Sequence, residues 1–185
     1  MRAYTERIQE AAKRLLTDKQ VDVVIGFRKG TVPFMNEPFL AKNLDHVRHL
    51  YWDGNCGINL ANYLAKRTDR VAIVAKGCDS RNIVVHLLEY QIKREQLYIL
   101  GAPCHGMIDR RRILASLDGR DPTHAEEKDG AITVAGQDFQ VTLERREYLQ
   151  ENCSICIHRN PVIFDELLAE PVPEQQNVDR YPDVR

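Results

Sequence analysis

Arg70-Val-Ala-Ile-Val-Ala-Lys-Gly-Cys-Asp-Ser-Arg81 and, further on, Leu97-Tyr-Ile-Leu-Gly-Ala-Pro-Cys-His-Gly106 are the stretches that decide the fold. Arg70 to Ala75 reads as a buried strand, Ser80 to Tyr90 as a helix, and Leu97 to Leu100 as a second strand. Strand, helix and strand within about 30 residues make a βαβ unit, whose two strands must run parallel. Both strands then end at one edge of the sheet, where ligands gather in open α/β folds. Cys78 lies just past the first strand end and Cys104 just past the second. Topology therefore delivers both thiols to one rim, a placement unrelated core cysteines would have no reason to share.

Both positions also suit thiolate. Cys78 opens a helix, and a helix N-terminus carries partial positive charge and unpaired N–H groups that lower a thiol pKa. Lys76 and Arg81 add charge of the same sign, while Gly77, Gly101 and Gly106 let backbone approach a cofactor closely. Lys76, Gly77, Arg81 and His105 are thus expected around a bound group. His105, next to Cys104, would bond cluster sulfur or move a proton; a plain surface histidine is the competing reading.

Asn152-Cys-Ser-Ile-Cys-Ile-His158 supplies a second kind of signal, because two cysteines separated by two residues chelate from one turn. Added to Cys78 and Cys104, Cys153 and Cys156 complete the four thiolates that hold a 4Fe-4S cluster. Cys56, in Trp52-Asp-Gly-Asn-Cys-Gly57, could replace one of the four, line the site or ligate as a fifth sulfur, or be a buried apolar residue at a helix start. A structural zinc site remains open too, although all-cysteine zinc sites usually come as two tight pairs. His158 becomes a ligand only if Cys56 and one other cysteine do not.

Outward from this centre, Ile8, Ala11, Ala12, Leu15 and Leu16 mark a helix over 3–16 with one buried stripe. Val21 to Gly26 reads as a strand, 27–47 as mostly loop, Asn55 to Lys66 as a helix and Ile108 to Leu117 as a helix with an arginine-rich outer side. After a turn-rich break at 118–122, Ala131–Val134 and Phe139–Leu143 form an antiparallel hairpin. Pro161 to Glu170 suggests a short helix, and the proline-containing stretch 171–185 an extended or disordered tail. The expected fold is α/β: a small mostly parallel sheet with flanking helices, then a C-terminal hairpin and cysteine segment. Residues 1–170 would be one domain.

Composition narrows function by exclusion. The formal net charge of -1 over 185 residues gives no basis for a nucleic acid or anionic membrane partner. No apolar run nears the roughly 20 residues that span a bilayer. An odd cysteine count, five, without a secretory leader points to reduced thiols and a cytoplasmic setting. Arg28-Lys29-Gly30 after the first strand could meet a phosphate or be a solvated loop, and Arg110-Arg-Arg112 is a wet helix face or a dock for an acidic partner. No serine triad, carboxylate pair, phosphate-binding loop, dinucleotide fingerprint or H-E-x-x-H helix occurs, so any chemistry belongs to a cofactor.

Val71 to Asp109, with Lys76-Gly-Cys-Asp-Ser-Arg81 and Ala102-Pro-Cys-His-Gly-Met-Ile-Asp109, resembles the coenzyme F-420 hydrogenase/dehydrogenase beta-subunit family. More narrowly it resembles the shorter relatives that accompany heterodisulfide-reductase-like and other multi-subunit electron-transfer complexes. Asn55-Cys-Gly-Ile-Asn-Leu-Ala-Asn-Tyr-Leu64, Cys153-Ser-Ile-Cys156 and Asn160-Pro-Val-Ile-Phe-Asp165 fit the same pattern, which covers roughly residues 20–168. The resemblance implies an iron–sulfur cluster and, in full-length members, a flavin (FAD or FMN) that exchanges hydride with the deazaflavin. It also implies redox partners: heterodisulfide-reductase-like, hydrogenase or dehydrogenase subunits. This chain is shorter than a full-length beta subunit and lacks ferredoxin-like cysteine runs. The expected role is an electron-transfer subunit, non-catalytic or flavin-assisted, with a flavin-dependent oxidoreductase and a zinc-stabilised structural subunit as alternatives.

Overall fold

The computed structural model describes residues 2–176 and 178. In chain order the elements are α1 (Arg2–Thr17), β1 (Val23–Lys29), β2 (Asn36–Ala41), α2 (Leu44–Val47), β3 (Val71–Ala75), α3 (Gly77–Leu88) and β4 (Leu97–Gly101). There follow α4 (Arg110–Ala115), β5 (His124–Lys128), β6 (Ala131–Ala135), β7 (Gln140–Glu144), α5 (Glu151–Ser154) and β8 (Glu166–Leu167). Two sheets result: a five-stranded one in the order β2-β1-β3-β4-β8 and a three-stranded one in the order β5-β6-β7. The larger is parallel throughout except for β2 at its edge, as the βαβ reading requires.

Apolar burial explains why these runs pair. Every residue of β3 is buried, and Ile8, Ala11, Ala12 and Leu15 of α1 join β1, β3, β4 and Ile83 of α3 in one core. Each fully buried aliphatic side chain contributes about 1.5–3 kcal/mol. The smaller sheet has its own cluster, with Ile132 and Val134 of β6 packed against Ile113 and Leu117 around α4.

Three expectations are corrected. The 27–47 region is not mostly loop, because β2 pairs with β1 from Lys29↔Asn36 to Val24↔Ala41. Pro38 hid it: proline lacks the N–H a central strand needs, but an edge strand tolerates it. Residues 55–66 hold only a single 3-10 turn, Leu60–Tyr63, capped by the Asn59 side chain accepting from Ala61 N. Leu60, Ala61 and Leu64 are buried by the core and not by a helix of their own, while Ile58 is exposed. Over 161–170 there is likewise no helix. Asp165 Oδ2 accepts from Ile99 N at 2.7 Å, and the chain adds β8 to the sheet as a short edge. The expected hairpin is present as β6 and β7, with β5 as an added third strand.

The tail expectation falls partly on described residues. Residues 171–176 form no helix or strand but are docked: Glu174 accepts from Asn160 N at 3.1 Å and from Arg159 N at 2.5 Å. Residues 177 and 179–185 lie outside the described residues.

Candidate metal centre

Strand register builds the first half of the site. Ala75 pairs with Gly101 at the ends of β3 and β4, and Ala102 N donates to Ala75 O at 2.8 Å. Cys78 and Cys104 each follow that pair by three residues, so the parallel ladder sets them side by side. Beyond Gly101 the chain stays irregular and turns at Gly106, whose φ of 91° is costly for a residue bearing a Cβ. This turn lets Gly106 N donate to Cys104 Sγ at 3.3 Å.

The second half comes from far along the chain. After the three-stranded sheet the backbone returns at Tyr148–Gln150: Ile108 and Leu149 form a bridge, and Gln150 N donates to Met107 O at 2.8 Å. The return sets α5 over the rim, and a Cβ on Gly106 would lie 3.4 Å from Cys153 Cβ. Cys104 N donates to Arg159 O at 3.0 Å, tying the far side of the cysteine loop to the same rim. Gly77 has no room for a side chain there, since a Cβ would lie 2.5 Å from His158 O and 2.9 Å from Asn160 O. From outside, Gln175 Nε2 clasps the loop by donating to Ser154 O and Cys156 O at 3.0 and 2.8 Å.

Cys78, Cys104, Cys153 and Cys156 consequently line one cavity of about 260 Å³. Lys76, Gly77 and Arg81 are on its walls. His105 is not; it is exposed, and the Arg145 guanidinium donates to its carbonyl and that of Gly106. Cys56 is also absent from the lining. It is fully buried, its sulfur accepting from Asn36 Nδ2 at 3.4 Å and donating to Tyr51 O at 3.9 Å. Burial pushes its thiol up to about 12.

Electrostatics inside the cavity oppose the expected thiolates. Burial pushes Cys104 up to about 12 and raises Cys78 and Cys153, outweighing the Gly106 N–H and the Lys76 charge. The thiols also raise one another: Cys153 acts on Cys78 and Cys104, and Cys156 on Cys153. With Cys78, Cys104 and Cys153 all raised, a cation bound there would have to displace their protons.

The residues fit such a cationic group with a net negative charge once ligated. Four sulfurs surround the void, one N–H already points at a sulfur, and Lys76 supplies a buried positive charge. Arg159 Nε, on a residue lining the same wall, is a buried donor without a partner. Among the described residues, no three His, Cys, Asp or Glu side chains gather closely enough to hold one metal ion.

Asp79 and Arg159 were not legible as site residues. Asp79 is completely buried beneath the rim, where it accepts from Lys76 N at 2.8 Å and Leu60 N at 3.0 Å. An acid in the first helical turn reads as an ordinary exposed cap.

A parallel α/β sheet carrying a cysteine-lined cavity at the C-terminal strand ends defines the class. No family model matches the chain, and no curated protein does. Among solved structures it is similar to a chain of the F420-reducing NiFe hydrogenase complex from Methanosarcina barkeri, with a TM-score of 0.59 and 15% identity. That likeness covers 86% of this chain and 59% of the hydrogenase chain, and at this identity it is one of fold. No helix among the described residues is long and apolar enough to cross a membrane.

Proposed function

We propose that this chain binds a 4Fe-4S cluster through Cys78, Cys104, Cys153 and Cys156 and carries electrons within a larger oxidoreductase. The observation that supports this is the arrival of four of the five cysteines on one cavity from two distant parts of the chain. Such a cluster supplies one-electron transfer, with a potential tuned by hydrogen bonds, burial and nearby charge. The chain's own residues position the sulfurs and supply those tuning groups. The fold likeness to a hydrogenase-complex chain supports a subunit with redox partners. Residues 1–170 would act as one body, with residues 171–176 bracing the cysteine loop, and the cytoplasm would be the setting.

Anaerobically prepared protein is expected to contain about four iron and four sulfide per chain, as that cluster type requires. Stoichiometric zinc without sulfide would establish the structural zinc reading instead.

A second reading, a flavin-assisted subunit binding FAD or FMN, is favoured by a separate cleft of about 580 Å³. Phe34, Tyr51 and Trp52 give it planar apolar walls, and Lys29 sits 5.6 Å over the Tyr51 ring at its edge. A yellow chromophore released on denaturation is the expected sign. Protein that releases no flavin on denaturation after incubation with FAD and FMN excludes this addition and leaves the cluster reading intact.

A further inference from the structure

Lysine side chains are almost never fully buried. Lys76, with 2% of its side chain exposed, is a near-complete exception, and its partner Asp79 is at 0%. The ammonium sits 2.8 Å from Asp79 Oδ2 and donates to Ile58 O at 3.0 Å. Beneath it are the faces of Phe27 and Trp52, at 5.2 and 5.7 Å. Asp79 in turn is held by Lys76 N and Leu60 N. Of the two residues only Lys76 lines the cysteine cavity.

Stability does not account for this arrangement. Removing two charges from water costs several kcal/mol per ion, and apolar replacements of such pairs are often neutral or stabilising. Position does account for it. The four bonds and contacts leave the ammonium one location, beside sulfurs that arrive from both halves of the site.

Resting on the cluster reading, we propose that Asp79 positions the Lys76 ammonium as a fixed positive charge on the cavity wall, which favours the reduced state of the centre held by the four cysteines. One-electron reduction adds one unit of negative charge to the cavity, with the electron supplied by a redox partner and no bond formed or broken. A cation nearby in low dielectric stabilises that added charge. Asp79 partly offsets the cation from behind, so the two residues push the equilibrium in opposite directions.

The test is a mediated dithionite titration of the full chain, followed by electron paramagnetic resonance. Lys76→Met is expected to shift the one-electron equilibrium about tenfold toward the oxidised form, about 59 mV. Asp79→Asn, which keeps the ammonium and removes its counter-charge, is expected to shift it the other way. A purely structural role would not give opposite signs. If Lys76→Met does not fold, the double variant Lys76→Met/Asp79→Leu carries the test, with a midpoint below wild type, opposite in sign to the shift of Asp79→Asn. An unmoved midpoint in folded variants, or a shift of the same sign in both single variants, overturns the proposal while leaving the cluster reading standing. Wild-type protein without iron and sulfide overturns both.

Discussion

The parallel rim at 71–106 and the antiparallel excursion at 109–160 bring two cysteines each to one cavity, by different physics. On the rim, position follows from the sheet itself: β3 is buried at every residue, and its register with β4 fixes Cys78 against Cys104. In the excursion, β5 and β7 alternate between exposed and half-buried residues, and α5 is four residues long. Cys153 and Cys156 are therefore held by a few hydrogen bonds and two tight glycine contacts. A site shared between a rigid half and a lightly tethered half is expected to lose its ligand geometry from the second half first.

The sharpest way to break this comparison is to damage the rigid half. Ile73→Ala, at a completely buried position in β3, should cost about 2–5 kcal/mol in denaturant unfolding and abolish iron binding with the fold. Arg145→Ala attacks the join between the halves. The guanidinium pairs with Glu127 in a site where their side chains are 12% and 8% exposed, and it also ties the carbonyls of His105 and Gly106. Leaving the Glu127 carboxylate without its cation, with only the Gly54 N–H still donating to it, should cost about 3 kcal/mol, read from the same unfolding curve, and lower iron retention as well.

Smaller changes should separate iron content from stability. Gly77→Ala drives a methyl into His158 O and Asn160 O, so displacement of the cysteine loop is expected at about 1–3 kcal/mol. Iron loss on gel filtration should exceed what that destabilisation explains. The mildest variant is Glu174→Gln, which weakens the clasp on Arg159 N and Asn160 N. Its side chain is near the surface, so a stability change of about 0.5 kcal/mol or less is expected, with faster release of iron to a chelator. Equal release rates for Glu174→Gln and wild type would show that residues 171–176 do not brace the loop.

Legibility in the sequence divides along the same line. The rim was readable because Val71–Ala75 and Leu97–Gly101 are unbroken apolar runs and parallel topology places their ends without further information. Nothing local states that residue 149 bridges residue 108, so the closure that brings Cys153 to Gly106 had to be seen. His124-Ala-Glu-Glu-Lys128 gave no strand signal, because an exposed edge strand beside β6 takes charged residues. The spaced apolar residues of 55–66 imitated a helix, while Asn55, Gly57, Asn59 and Asn62 disfavour one. Burial likewise reversed the thiolate expectation: helix position and Lys76 lower the thiol pKa values, and desolvation outweighs them. The Lys76–Asp79 pair escaped because spacing alone does not distinguish an inward ion pair from a wet one.

Cys56, which the sequence could not sort from the other four, now has a definite prediction. One measurement tests the central claim most directly: iron and sulfide content of five anaerobically prepared single variants, each cysteine replaced by serine in turn, with folding checked by circular dichroism. The account predicts loss or conversion of the cluster for the serine variants of Cys78, Cys104, Cys153 and Cys156, and full iron and sulfide in folded Cys56→Ser. Full cluster content in any of the first four, or its selective loss in folded Cys56→Ser, would contradict the ligand set.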